Sequence, residues 1–215
     1  MSKDFDIVCF DCDSTLSHIE GIDELAKQAG VGPEMVELTN LAMDGKVTLQ
    51  EVYGKRLSLI RPNLQAIDAL GDLYIEQRVD GVTEVFAKLL DAGKQVHIIS
   101  GGIRQSILPL AAQLGLPPEN VHAVALIFDE HGQYQDFDQS SPLARSGGKA
   151  EVCQLLSKGK DSMVMIGDGQ TDLESKQAGA WFVGFGGVVT RPAVKAGADE
   201  FIEGSSLLPL LNIVL

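Results

Sequence analysis

Two aspartates stand two positions apart where an apolar run ends, in IVCFDCDSTL (7–16). On an extended segment, side chains at that spacing point the same way, so Asp11 and Asp13 face together and Cys12 faces away. Aspartate, serine and threonine are also common where a strand turns, so a plain turn and a reactive carboxylate pair both stay open. Three further segments carry small or charged residues that could serve a site. IISGG ends with Ser100 and then Gly101 and Gly102, whose backbone N–H groups can approach a phosphate closely, although a helix cap with a glycine turn is spelled the same way. SGGK puts Lys149 at a helix start, where a cation opposes the macrodipole unless an anion sits there. MIGDGQTD sets Asp168 and Asp172 around a tight turn, and capping explains Asp172 without explaining Asp168.

Brought into one crevice, Asp11, Asp13 and Asp168, with Asp172 close by, would repel one another and take up protons. A divalent cation resolves that conflict, and hard oxygen ligands point to Mg²⁺. Ser100, the glycine N–H groups and Lys149 then supply positive character for a phosphoryl group. Other phosphate chemistries fit poorly. GGKA lacks the upstream glycine and the Ser/Thr of a P-loop, and FGGVV lacks the dinucleotide-binding pattern. No cysteine is followed six residues later by arginine, and GDGQTD has the wrong oxygen spacing for a calcium loop. His18, His97, His122 and His131 are scattered and read as ordinary surface or core residues.

The elements that must position these groups are legible as alternation. DIVCF (6–10), QVHIIS (95–100), SMVMIGD (162–168) and WFVGF (181–185) have the continuous apolar character of strands buried on both faces. GVTEVFAKLLDAGK, IRQSILPLAAQLG, GKAEVCQLLSKGK and TDLESKQAGA between them carry apolar residues at helical spacing with glycine near their ends. Strand and helix in alternation predict an α/β fold, a Rossmann-like parallel sheet with helices on both faces. Ligands sit beyond the carboxyl ends of such strands. Two segments break the pattern. From about Glu20 to Gln77 there are only helical stretches, which predicts an inserted helical block over that edge. VHAVALIFDEHGQYQDFD (121–138) predicts a small β-hairpin turning at His131 and Gly132.

Composition narrows the partners. The 215 residues carry a formal net charge of −13, which disfavours nucleic acid and anionic membranes. Hydrophobic residues at 45% and charged residues at 22% are the balance of a globular protein. Cys9, Cys12 and Cys153 form no zinc spacing and no disulfide framework. MSKDFDIVCF has no apolar stretch ahead of the first strand, and LLPLLNIVL is too short to span a bilayer, so a cytoplasmic protein is expected.

DCDST, SGG, the isolated Lys149 and GDGQTD resemble, in order, the four motifs of the haloacid dehalogenase superfamily of phosphatases. The helical block resembles that superfamily's cap of the first type. The resemblance implies a core of residues 1–16 and 81–215 and a cap of residues 17–80. EGIDELAKQAGV, AMDGKV with RLSLI, and GFGG followed by Arg191 are similar to the phosphoserine phosphatases within it. One departure is Val79-Asp80-Gly81 at the cap's exit, where a proline is expected nearby.

The resemblance implies Mg²⁺-dependent hydrolysis of phosphoserine, a phosphorylated amino acid, as the closing step of serine synthesis. It makes Asp11 the nucleophile that forms an aspartyl-phosphate and Asp13 the acid and base. It gives Mg²⁺ the Asp11 and Asp168 carboxylates and the Asp13 backbone carbonyl, with Asp172 supporting Lys149 or the metal's waters. Lys149, Ser100 and the Gly101 N–H would stabilise charge on the transferring phosphoryl group. In the cap, Glu20 would meet the substrate ammonium and Arg56 its carboxylate, with Met43 packing alongside; Thr171 and Arg191 are further substrate contacts. By pattern alone Glu20, Arg56 and Met43 read as a helix-start glutamate, a surface arginine and a core methionine. Transfer of the phosphoryl group to an alcohol other than water is the alternative reaction, and a catalytically silent relative is a third reading.

Overall fold

The computed structural model describes residues 5–35, 38, 49–158 and 162–215. Its main sheet has six parallel strands in the order Val121–Val124 (β3), Gln95–Ile103 (β2), Ile7–Phe10 (β1), Met163–Gly167 (β6), Trp181–Phe185 (β7) and Glu200–Ile202 (β8). The central strand β1 (Ile7–Phe10) is buried at every position, because β2 (Gln95–Ile103) and β6 (Met163–Gly167) flank it and helices cover both faces. That double burial is why these strands are continuous apolar runs without alternation. β7 (Trp181–Phe185) matches the sequence expectation residue for residue. Of the two outer strands, β3 (Val121–Val124) falls in a run expected to be β but in the hairpin, and β8 (Glu200–Ile202) was not expected.

β3 also revises the hairpin. The expected single hairpin over 121–138 is divided at Ala125: Val121–Val124 joins the main sheet beside β2. Only β4 (Leu126–Phe128) and β5 (Tyr134–Phe137) pair antiparallel. A strand that can complete a sheet edge gains a full ladder there, whereas a two-stranded ribbon is marginal on its own. A second difference lies in β2, which runs on through Ser100-Gly101-Gly102 to Ile103 before helix Arg104–Gln113 begins. Ser100 is therefore not a helix cap.

Between β1 and β2 lie the helices α1 (Gly21–Ala29), α2 (Leu49–Ile60), α3 (Leu64–Glu76) and α4 (Val82–Asp91), among others. Gly30, at φ 71°, closes α1 with its N–H on the Ala26 and Lys27 carbonyls. Asn63 caps α3 by accepting from the Ala66 N–H at 2.9 Å. The outgoing and returning chains are stitched together where they leave the sheet. His18 N–H donates to the Gln77 carbonyl at 2.8 Å, and Val79 N–H donates to the Leu16 carbonyl at 2.9 Å. α3 packs Gly71 against Pro109 and the Ser106 carbonyl of the helix that follows β2. The ribbon reaches the helical block as well, through Leu64 N–H to the Gly132 carbonyl at 2.9 Å and Tyr53 against Phe137, ring centroids 5.2 Å apart. The helical block is thus held over the carboxyl ends of β1, β2 and β6.

Candidate active site

Where β1 stops, Asp11 extends its ladder by one bond, N–H to the Ile166 carbonyl at 2.9 Å, so the side chain is fixed by sheet geometry. Its Oδ1 accepts from the Cys12 N–H at 2.7 Å and lies 2.8 Å from Lys149 Nζ. Lys149 reaches there from the first turn of helix Gly148–Ser157 and also meets Asp172 Oδ1 at 2.6 Å. The lysine that looked misplaced at a helix start is buried between two carboxylates. Burial works to lower the pKa of this ammonium, but Asp11 and Asp172 outweigh it and hold the group above the ordinary lysine value.

Asp172 serves both of the roles open to it. Its Oδ2 accepts from the Gly169 N–H at 2.9 Å, a cap, while Oδ1 holds Lys149. The fit depends on Gly167, since a Cβ there would lie 2.2 Å from Asp172 Cγ. Asp168 Oδ2 is 3.1 Å from Arg191 Nε, and its Oδ1 takes a long contact from Thr15 Oγ1 at 3.5 Å. Carboxylate oxygens of Asp11, Asp168 and Asp172 lie within 4.8 Å of one another, all three residues buried.

This crowding shows in their protonation. Burial, reinforced by the Asp11 charge, pushes Asp168 up to about 6. Burial and then Asp11 push Asp172 upward too, with Lys149 and the Gly169 N–H acting against that push. Buried oxygens that repel one another and lack enough cationic charge suit a hard divalent cation. The residues present fit a metal.

Asp13 turns away from that trio toward the cap. Its Oδ1 accepts from the Gly21 N–H at 2.9 Å and from the Tyr74 hydroxyl at 2.6 Å. Gly21 is required by this contact, because a Cβ would sit 2.1 Å from the Tyr74 oxygen. Burial, then the charges of Glu20 and Asp11, push Asp13 up to about 7, although both hydrogen bonds oppose the rise. A carboxyl poised near neutrality can give and take a proton in one cycle.

Glu20 occupies the cap position of α1 but makes no cap bond. Its Oε1 instead accepts from Ser14 Oγ at 2.6 Å, and burial raises its pKa. Ser14 holds a left-handed φ of 52°, uncommon for a side-chain-bearing residue, at the turn that brings the two together. Ser100 Oγ accepts from the Gly102 N–H at 3.0 Å, which leaves its hydroxyl proton free to donate.

Most of these groups border one cavity of about 440 Å³. Asp11, Asp13, Glu20, Arg56, Ser100, Gly101, Lys149, Asp168, Thr171 and Arg191 line it, and Asp172 lies buried behind Lys149. The locally positive character that an anionic substrate needs is present in Arg56, Arg145, Lys149 and Arg191. Of the expected site residues, Met43 lies outside the described residues. Sequence reasoning passed over Tyr53, Tyr74, Ser14 and Arg145. Ser14 stands inside the first motif and Arg145 just before the lysine motif, which were signals; the two tyrosines sit in apolar helical patterns and gave none.

Comparison with known proteins is consistent with this geometry. The haloacid dehalogenase-like hydrolase family model matches residues 5–179. Phosphoserine phosphatase of Arabidopsis thaliana, described as chloroplastic, is 42% identical over 204 residues, covering 93% of this chain and 69% of that protein. The human phosphoserine phosphatase is 40% identical over 199 residues, covering 92% of this chain and 88% of that one. Among solved structures, a phospho-aspartyl intermediate analogue of phosphoserine phosphatase superposes with a TM-score of 0.80 at 28% identity, covering 99% of this chain and all of that one (100%). Among the described residues, no helix is long and apolar enough to cross a membrane.

Proposed function

Because this chain belongs to the haloacid dehalogenase-like hydrolases, we propose that it hydrolyses O-phospho-L-serine to L-serine and phosphate through an aspartyl-phosphate on Asp11. The observation that carries the reading is one cavity with two kinds of wall. The sheet edge supplies Asp11 and Asp168 just past β1 and β6 and Ser100 within β2, and the helix Gly148–Ser157 adds Lys149; Glu20 and Arg56, in the first and third helical segments of the expected cap (17–80), supply charges complementary to an amino acid's ammonium and carboxylate.

The Cys12 N–H and Lys149 occupy Asp11 Oδ1 and fix the plane of the carboxylate, so attack on phosphorus falls to Oδ2. The Oδ2–P bond forms as the bond from phosphorus to the serine oxygen breaks, and Asp13 gives that oxygen its proton. Asp13, now a carboxylate, takes a proton from water as the water oxygen attacks phosphorus, and Asp11 leaves from phosphate. Lys149, the Ser100 hydroxyl and the Gly101 N–H stabilise the charge on the phosphoryl oxygens, and Asp172 keeps Lys149 in place. Thr171 and Arg191 border the phosphate end; Arg191 also steadies Asp168. Asp11, Asp168 and the Asp13 carbonyl would hold Mg²⁺, which would neutralise charge on the transferring group. A cytoplasmic location is part of this reading; it is motivated by three buried free cysteines and checked by cell fractionation.

The test is a panel of phosphorylated metabolites assayed with Mg²⁺ and with chelator. Phosphoserine should have the highest kcat/KM, EDTA should abolish turnover and Mg²⁺ should restore it. Full activity after rigorous chelation, or a sugar phosphate preferred over phosphoserine, would overturn the assignment.

A further inference from the structure

Tyr53 belongs to none of the assigned roles, yet it borders the same cavity. Its hydroxyl is buried and has no hydrogen-bond partner among the described residues. Buried polar groups are almost always satisfied, and leaving a hydroxyl unpaired costs stability. The packing does not relax this one. The ring is held against Phe137 at 5.2 Å, so the hydroxyl cannot swing out to water without giving up that contact.

What ligand would complete the bond follows from the neighbours. Tyr53 stands three residues before Arg56 on α2, a spacing that sets both on one face of the helix, and both line the cavity. Burial, with the nearby Asp13 charge, raises the phenol's pKa, so it keeps its proton and serves as a donor. A donor beside a guanidinium suits an anion. The phosphate is already provided for at the opposite wall by Lys149, Ser100 and Gly101, which leaves the second anionic group of the substrate.

We propose that the Tyr53 hydroxyl is a substrate-recognition donor that, together with Arg56, binds the carboxylate of a phosphorylated amino acid. This rests on the phosphoserine reading and adds to it a residue that selects for the carboxylate. An empty donor of this kind is preorganised: the fold bears the cost of the unpaired hydroxyl before the substrate arrives, and binding recovers it.

The substitution Tyr53→Phe removes one oxygen and keeps the ring. We would measure kcat/KM for O-phospho-L-serine and for O-phosphoethanolamine, the same molecule without its carboxylate, together with the thermal midpoint of the ligand-free protein. The expected result is a loss of about tenfold or more on phosphoserine, carried mainly by KM, and a change within about twofold on phosphoethanolamine. The ligand-free midpoint should stay level or rise, because an unsatisfied group has been removed. Equal losses on both substrates, no loss on phosphoserine, or a lowered midpoint would each overturn the proposal, the last by making the hydroxyl structural. If the wild-type protein does not hydrolyse phosphoserine, the functional reading fails first and takes this assignment with it; a failure confined to the variant sinks the Tyr53 role alone.

Discussion

The two walls of the cavity are finished to different degrees. On the strand side, Lys149 sits between Asp11 and Asp172, Asp168 meets Arg191, and Ser100 is bonded to Gly102 of its own strand. On the helical side, Glu20 leans on the hydroxyl of Ser14, and the Tyr53 hydroxyl is unpaired among the described residues. The difference follows from how each wall is made. Parallel strands fix the residues at their carboxyl ends to within the tolerance of a hydrogen-bond ladder, so reactive groups can be set against one another in advance. Helices inserted over that edge touch the sheet through side chains and two stitched crossings, which suits groups whose partner arrives with the substrate.

The largest effect should come from breaking the strand side. Asp11→Asn removes the nucleophile while keeping the Oδ1 acceptor for the Cys12 N–H, so the fold should persist and turnover fall at least about a thousandfold. Circular dichroism and steady-state rates on the same sample check this. A variant that keeps even a tenth of wild-type activity with Mg²⁺ present would be incompatible with covalent catalysis at Asp11.

A smaller effect sharpens the boundary between the walls, at Asp13. Its folded pKa of about 7 lies above the ordinary 3.8, so its contribution to stability is fully present below 3.8 and is lost as pH rises through 7. Asp13→Asn carries no such charge. In metal-free buffer the variant should therefore be more thermally stable than wild type at pH 8, with the advantage shrinking steadily toward pH 4. Melting curves across that range test it; an advantage that stayed constant with pH would mean that packing, not ionisation, causes the change.

The strand side was the more legible in the sequence, for the same physical reason. A strand end buried on both faces leaves little freedom in its exit, and the segments around Asp11, Ser100 and Asp168 therefore carried both position and chemistry. The outer strands were harder. β3 stood out only as part of one longer β-like run, with nothing in it to mark the break at Ala125, and β8 spans three residues, too few for an apolar run to stand out. Lys149 was readable as an electrostatic oddity, a cation at the wrong end of a helix. The cap offered no comparable signal. Tyr53 and Tyr74 sit at helical spacing among apolar residues; that Tyr74 meets Asp13 and that Tyr53 borders the cavity are tertiary facts. Glu20 and Arg56 were placed by resemblance alone, since by pattern they are an ordinary helix-start acid and a surface base.

The central claim is that the strand side performs the phosphoryl chemistry and the helical side chooses the substrate. The most direct measurement is kcat/KM for phosphoserine and for p-nitrophenyl phosphate on Glu20→Gln and on Arg56→Ala. Loss of one charge-assisted bond is worth about 1.5–3 kcal/mol, so phosphoserine should lose roughly ten- to a hundredfold while p-nitrophenyl phosphate changes little. Equal losses on both substrates would contradict the division, and would make these residues part of folding or closure instead of recognition.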